Sequence, residues 1–278
     1  MDSFICWLGG KSKLSNWIIN QMPPHKMYVE VFGGAGWVLF RKPRSEKEIF
    51  NDIDSDLINL FICCRDKPNE LVKAMEFLPQ SRELHRLFYT ESLKMKAKLG
   101  DVDRAAKFFY VLNYAFQGHL GSYRVHPGGT SEIESYLYQM AKCSYRLRRV
   151  SIENLDWKKL IENTDGPETL FYLDPPYTST IVSKDRKHRD YSHLMDSSDH
   201  DALAETLKHI EGKFLLSYDD SPEVRKLYGG GTWAHLTTTP EVFYSGQTTK
   251  QHRRPILKHE LLISNFPLLK KKSTTERR

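Results

Sequence analysis

Two apolar runs in this chain end abruptly in residues that neither a helix nor a continuing strand tolerates, and this limits the folds open to it. Val29-Glu30-Val31-Phe32 runs into Gly33-Gly34-Ala35-Gly36, and Thr169-Leu170-Phe171-Tyr172-Leu173 runs into Asp174-Pro175-Pro176-Tyr177. Each reads as a short buried strand stopped by a turn. The spacing predicts further strands at Tyr28–Phe32, Glu48–Phe50, Val150–Glu153, Leu170–Leu173, Phe214–Ser217, Trp233–Leu236 and Glu260–Ile263. Helices are expected over 12–22, about Ser55–Cys64, Asp199–Ile210 and Pro222–Leu227. From 66 to 149 the pattern is helical, broken only by a glycine-rich stretch at 118–129 where a hairpin fits. Alternating strands and helices with one helical interruption predict an α/β fold carrying an inserted, mainly helical domain. The expected division is 1–65 with 150–266 as the sheet domain, 66–149 as the insert and 267–278 as a basic C-terminal tail.

The composition is that of an ordinary globular protein, with 40% hydrophobic and 27% charged residues. No apolar run approaches membrane-spanning length, and Lys11 and Lys13 stand where a secretion signal would be apolar. The cytoplasm is the expected compartment. The four cysteines show no zinc spacing and read as reduced residues. Lys plus Arg outnumber Asp plus Glu by 41 to 35, a mild excess that says less than its placement. Basic residues gather at 184–189, 250–254 and 270–272.

In an open parallel sheet, ligands bind beyond the C-terminal strand ends. Glycines there permit positive φ and close backbone approach. Asp52, ending the next strand, can accept both hydroxyls of a ribose. The turn departs from the full G-x-G-x-x-G pattern, and Trp37 follows it, so a tight turn without a ligand is the plain alternative. At the second strand end, Asp174 offers a carboxylate, Pro175 a carbonyl and Tyr177 an aromatic face, a compact set for an exocyclic amino group. The plain alternative there is a strand stopped by two prolines with Tyr177 in the core. Together the two strand ends point to a nucleotide-like cofactor and amine chemistry.

Trp7-Leu8-Gly9-Gly10-Lys11, the glycine turn, Phe50-Asn51-Asp52-Ile53-Asp54-Ser55-Asp56 and Asp174-Pro175-Pro176-Tyr177 occur in an order that resembles the Dam-like (D12 class) DNA adenine-N6 methyltransferases. The resemblance implies a Rossmann-like S-adenosylmethionine-dependent methyltransferase sheet with helices on both faces, and an inserted DNA-recognition domain. It implies S-adenosyl-L-methionine as cofactor and double-stranded DNA as partner, in a prokaryotic or phage-infected cell. The expected form is a monomer, with transient dimers open. By position, Phe32, Gly33, Gly34, Ala35 and Gly36 match the loop near the cofactor's methionine part, and Asp52 matches the ribose acid. Trp7 and Lys11 match positions lining the cofactor pocket. Asp174, Pro175, Pro176 and Tyr177 match the catalytic tetrapeptide, with Asp174 also bordering the cofactor. Asp156 resembles the contact to the cofactor's adenine, or is simply a helix N-cap. None of the cysteines follows a proline, which disfavours cytosine-C5 chemistry. Cytosine-N4 enzymes usually carry serine where Asp174 stands.

The segment 66–149 is expected to read the target. Arg82, Arg86, Arg104, Arg146, Arg148 and Arg149 contribute to its charge, most of them on solvated faces. Asn113, Gln117, His119, Tyr123, Arg124 and His126, in the hairpin region, are the candidates for base-edge contacts. Better-known family members read a GATC site with a Tyr-Asn-Gly segment. This chain has Phe116-Gln117-Gly118 there, so that target is not carried over. Lys184 and Lys187 fall in a basic stretch expected to close over DNA, and Lys250, Arg253 and Arg254 are expected at phosphates. Transfer to RNA adenine or to cytosine-N4, and a non-catalytic DNA-binding relative, are the competing readings.

Overall fold

The structure is a computed structural model. It describes every residue except 8, 93–99, 117–118, 126–130, 178–194, 231–232, 244–256 and 270–278, and the side chains at 92, 116, 119, 131–134, 242–243 and 257–258 are likewise left undescribed.

A seven-stranded sheet forms the centre. Its strands are β1 (Met27–Glu30), β2 (Lys47–Asn51), β5 (Ser151–Glu153), β6 (Thr169–Leu173), β7 (Lys213–Asp219), β8 (His235–Thr238) and β11 (Glu260–Ser264). They lie side by side in the order β5-β2-β1-β6-β7-β11-β8. All pairings are parallel except those of β11, which runs antiparallel to β7 and β8. Two short antiparallel pairs stand apart: β3 (Ala115–Phe116) with β4 (His119–Tyr123), and β9 (Val242–Phe243) with β10 (Leu257–Lys258).

Side chains alternate across a strand, so each central strand feeds two cores. Tyr28, Phe50, Leu170, Tyr172, Leu215 and Leu262 point to one face. There they meet helices α2 (Trp37–Arg41), α3 (Ser55–Asp66), α6 (Val102–Tyr114) and α7 (Ser131–Leu147), together with α1 (Ser15–Ile19). Val29, Val31, Phe171, Leu173, Phe214, Leu216, Tyr218, Leu261 and Ile263 point to the other. They are covered by α8 (Trp157–Thr164), α9 (Ser197–His209) and α10 (Pro222–Gly229). Helices therefore lie on both faces, as the resemblance implied. The remaining helices, α4 (Pro68–Met75) and α5 (Arg82–Ser92), follow α3 in the chain.

The expected elements are present with shifted ends. α1 is shorter than the expected 12–22, because residues 11–14 form turns in which Leu14 N and Ser15 N both donate to Lys11 O. β8 begins at His235 rather than Trp233. α6 continues through Asn113 and Tyr114, so the hairpin is shorter than its sequence suggested. Among the described residues, the segment 66–149 adds no strand to the main sheet, yet its packing is shared with it. Phe108, Phe109, Leu112, Met140 and Cys143 belong to the same cluster as Phe4, Phe50 and Phe61. Phe88, Tyr110, Val111 and Tyr114 form a small cluster of their own.

Candidate active site

The strand order reverses between β1 and β6, and that is where an open α/β sheet presents its ligand crevice. Both sequence motifs end there. Glu30 is in register with Tyr172, and Val31 N donates to Tyr172 O at 3.0 Å, so the glycine turn and Asp174 leave the sheet side by side.

The glycine turn is required by close contacts. A Cβ on Gly33 would lie 2.4 Å from the Phe50 ring and 2.8 Å from Asn51 O, and Gly33 N donates to that same carbonyl at 2.7 Å. Gly34 has φ +48°, and a Cβ there would press on the Trp7 ring at 3.0 Å. Trp7 thus lies over the turn, held by a segment in which Ser3 Oγ donates to Ala35 O at 2.6 Å. Asp52 turns its carboxylate toward the same loop, accepting Gly34 N and Asp54 N, each at 2.9 Å. Burial raises its pKa to about 6. Phe32 is half-buried against the second core.

Two asparagines given no role from the sequence, Asn51 within the 50–56 motif and Asn154 outside it, fix the rim. Asn51 is buried and donates to Val31 O (2.9 Å) and Leu155 O (3.0 Å), while its own carbonyl accepts Leu155 N (2.8 Å). Asn154 donates to Asp52 O at 2.8 Å. The loop after β5 is thereby clamped beside Asp52. Asp156, which sits in that loop, is exposed and caps α8 by accepting Lys158 N at 2.9 Å. The N-cap reading accounts for that contact.

At the end of β6, Lys11 Nζ stands 2.7 Å from Asp174 Oδ1 and donates to Gly9 O at 3.0 Å. It also lies 3.8 Å from Glu260 Oε2 and 5.0 Å from the centre of the Tyr177 ring. The Tyr177 hydroxyl donates to Asp174 Oδ1 at 3.4 Å. Pro175 is buried and Pro176 is half-buried. Burial pushes Asp174 up to about 6, with Lys11 pulling it down and Glu260 adding to the rise. Burial works against the Lys11 charge, but Asp174 and Glu260 outweigh it and leave the ammonium's pKa raised. Lys11, expected on the cofactor side, is therefore also a direct partner of Asp174. Glu260 was unmarked in the sequence reading. Its signal was an acid within a strand buried along its whole length, where a charge needs a partner.

The expected nucleic-acid residues divide. Asn113 is not available as a base reader: it is buried in α6 and its amide donates to Phe109 O at 2.9 Å, because the helix outruns the expected turn. Tyr123 is half-buried, with the Arg82 guanidinium 4.7 Å from its ring centre and His85 at its edge. Arg124 is exposed, its backbone N–H bonds Tyr114 O at 2.8 Å, and its charge acts on Cys6, next to Trp7. Two further arginines of the segment are structural. Arg104 pairs with Asp56, and Arg146 joins Lys42 on buried Glu48. Gln117, His126, Lys184, Lys187, Lys250, Arg253 and Arg254 lie outside the described residues, as does the side chain of His119.

The mostly parallel sheet, with this crevice at its switch point, has the build of a Rossmann-like α/β methyltransferase fold. The family model of the D12 class N6 adenine-specific DNA methyltransferases matches residues 7–242, and the chain belongs to that family. It is similar to the Type II methyltransferase M1.LlaDCHI of Lactococcus lactis subsp. cremoris, at 27% identity over 81% of this chain and 84% of that one. It is also similar to the DNA adenine methylase of Haemophilus influenzae, at 24% identity over 84% and 85%. A third relative is the DNA N-6-adenine-methyltransferase of Escherichia phage P1, at 24% identity over 81% of this chain and 31% of that protein. The enzyme class is thus DNA adenine-N6 methylation.

Proposed function

We propose that the chain uses S-adenosylmethionine and methylates an adenine flipped out of duplex DNA, with Asp174 and the Pro175 carbonyl holding the amino group. The observation that carries this reading is Asp174 at the end of β6, adjoining the glycine turn and already paired with a buried cation.

The cradle suits such a cofactor. Gly33 and Gly34 leave room no side chain could share, and Asp52 faces them with further lone pairs on both oxygens. Trp7, Phe32, Ala35 and Gly36 would complete the walls, with Asp156 at the rim. When bound there, S-adenosylmethionine would supply an electrophilic methyl group, its sulfur leaving as a neutral thioether.

The adenine N6 lone pair is conjugated into the ring, so the amine is a poor nucleophile. Asp174 and the Pro175 carbonyl each accept one N–H, which aims the lone pair along the line of attack. Such alignment is worth up to ~7–11 kcal/mol in favourable cases. Asp174 also stabilises positive charge growing on nitrogen. Extruding the base costs a few kcal/mol, and stacking on Tyr177 returns ~1–3 kcal/mol. Segment 66–149 would read the target, with Tyr123 and Arg124 as candidates, and Gln117, His119 and His126 as further candidates near them in the sequence. Lys184, Lys187, Lys250, Arg253 and Arg254 would meet phosphates.

The test is methyl transfer from labelled S-adenosylmethionine to a mixture of unmethylated genomic DNA and RNA, followed by nucleoside analysis of each. N6-methyladenine is the expected product. N4-methylcytosine, label in RNA only, or no label would each refute the proposal. Replacing Arg253 and Arg254 with Ala should lower the salt dependence of DNA binding by roughly 0.9 log units per log salt for each lost contact; an unchanged slope would place them away from DNA.

A further inference from the structure

The Lys11 ammonium has an acid on either side. Its side chain and that of Glu260 are 5% and 6% exposed, so water has little access to either charge. An ammonium has three N–H bonds to place. Asp174 Oδ1 at 2.7 Å and Gly9 O at 3.0 Å take two. Glu260 Oε2 at 3.8 Å is within ion-pair reach but roughly 1 Å beyond a hydrogen bond. The ammonium cannot move far from carboxylates, because an unpaired buried charge is costly. Yet the oxygen it grips belongs to the carboxylate that must hold an incoming amine.

We propose that Glu260 is the second seat of Lys11: the ammonium rests on Asp174 when no target amine is present, and passes to Glu260 when that amine takes up Asp174. This rests on the assignment of Asp174 as the amine's acceptor. The shift removes a cation from the carboxylate that must stabilise a nitrogen becoming positive. It needs no long displacement and exposes no charge, since Glu260 is fixed at the start of β11, its backbone bonded both ways to Thr239. Glu260 is therefore a positioning residue, acting through Lys11. Among the described residues, the other ionisable groups facing Asp174 are Glu30 of β1, Tyr172 of β6, Tyr218 of β7 and Tyr177. All four are carboxyl or phenol groups, so among the described residues Lys11 is the cation at Asp174.

Two measurements test this. In a crystal structure of Asp174→Asn, which removes the charge on the first seat, Lys11 Nζ should lie within about 3.2 Å of a Glu260 oxygen; a lysine still resting on residue 174 overturns the proposal. That readout does not depend on turnover, so it decides the matter even if the wild-type protein transfers no methyl group, a result that would sink only the catalytic assignment. In single-turnover methylation of unmethylated genomic DNA, Glu260→Gln should lower the rate about tenfold or more with little change in DNA half-saturation. The acid limb of its pH profile should move to lower pH, since a neighbouring negative charge is gone. Glu260→Asp should restore much of the rate. A Glu260→Gln enzyme with the wild-type rate and profile also overturns the proposal.

Discussion

In the proposed reaction Asp174 works as a carboxylate that offsets charge growing on nitrogen, and burial has moved its pKa to about 6. Methyl transfer should therefore rise as pH climbs through about 6 and level off above it. Single-turnover rates from pH 5 to 8 check this, and a flat profile would mean that another group holds the amine. Asp174→Ala should cost about a hundred- to a thousandfold in rate while duplex binding persists in a gel-shift or anisotropy titration. The two strand ends that meet at the crevice were legible in the sequence because glycine, proline and aspartate are unusual directly after an apolar run. Lys11 and Glu260 were not legible as partners. They lie near opposite ends of the chain, and only the antiparallel insertion of β11 beside β7 brings Glu260 under the crevice. Asn51 was equally silent, since an asparagine ending a strand reads as a turn former, not as the clamp between β1 and the loop after β5.

The glycine turn is held by the elements around it. α2 begins at Gly36, which sits in the left-handed region at φ 67° and has no side chain to cap the helix. Glu30 does so from β1: its Oε2 accepts Leu39 N at 2.9 Å and the Tyr28 hydroxyl at 2.7 Å. Strand and helix thus grip the turn from both ends. Glu30→Ala would leave the Leu39 N–H unpaired and should cost about 1–3 kcal/mol in chemical denaturation. Burial raises the Glu30 pKa from 4.5 to about 8. The folded state holds a proton there that the unfolded chain releases near 4.5. This group's contribution to stability is therefore complete below about 4.5 and is lost as pH rises through about 8. Asp52 and Asp174 act in the same direction but are half-titrated near 6, well before Glu30. Between pH 6.5 and 8 the wild type should lose stability with rising pH, and Glu30→Gln should lose markedly less. Parallel slopes for the two proteins would show that Glu30 does not titrate there. The sequence placed these elements because their periodicities differ. It misplaced the end of α6, because Asn113 and Tyr114 carry no helix stop and the helix runs on until the β3 pairing begins.

At the scale of the whole molecule, the sequence marks 66–149 as a separate insert, since its helical pattern breaks the strand–helix alternation. Packing joins what the pattern separates. The Phe50 and Phe61 rings stack with centres 4.3 Å apart, Phe61 meets Phe4 at 5.2 Å, and Phe4 stacks on Phe109 of α6 at 6.4 Å. One continuous aromatic column therefore runs from the strand beneath the glycine turn into the helical segment. Sequence spacing could not reveal it, because its members come from four distant stretches. Removing the Phe109 ring should cost about 3–5 kcal/mol, and that loss should be felt across the molecule. All 5 tryptophans lie outside 66–149, so their fluorescence reports on the sheet side alone. For Phe109→Ala, the tryptophan and far-ultraviolet dichroism transitions should shift together to lower denaturant. A tryptophan midpoint left at its wild-type value while helix signal melts early would mean that the segment folds as its own unit. Target recognition would then be free to move independently of the crevice it serves.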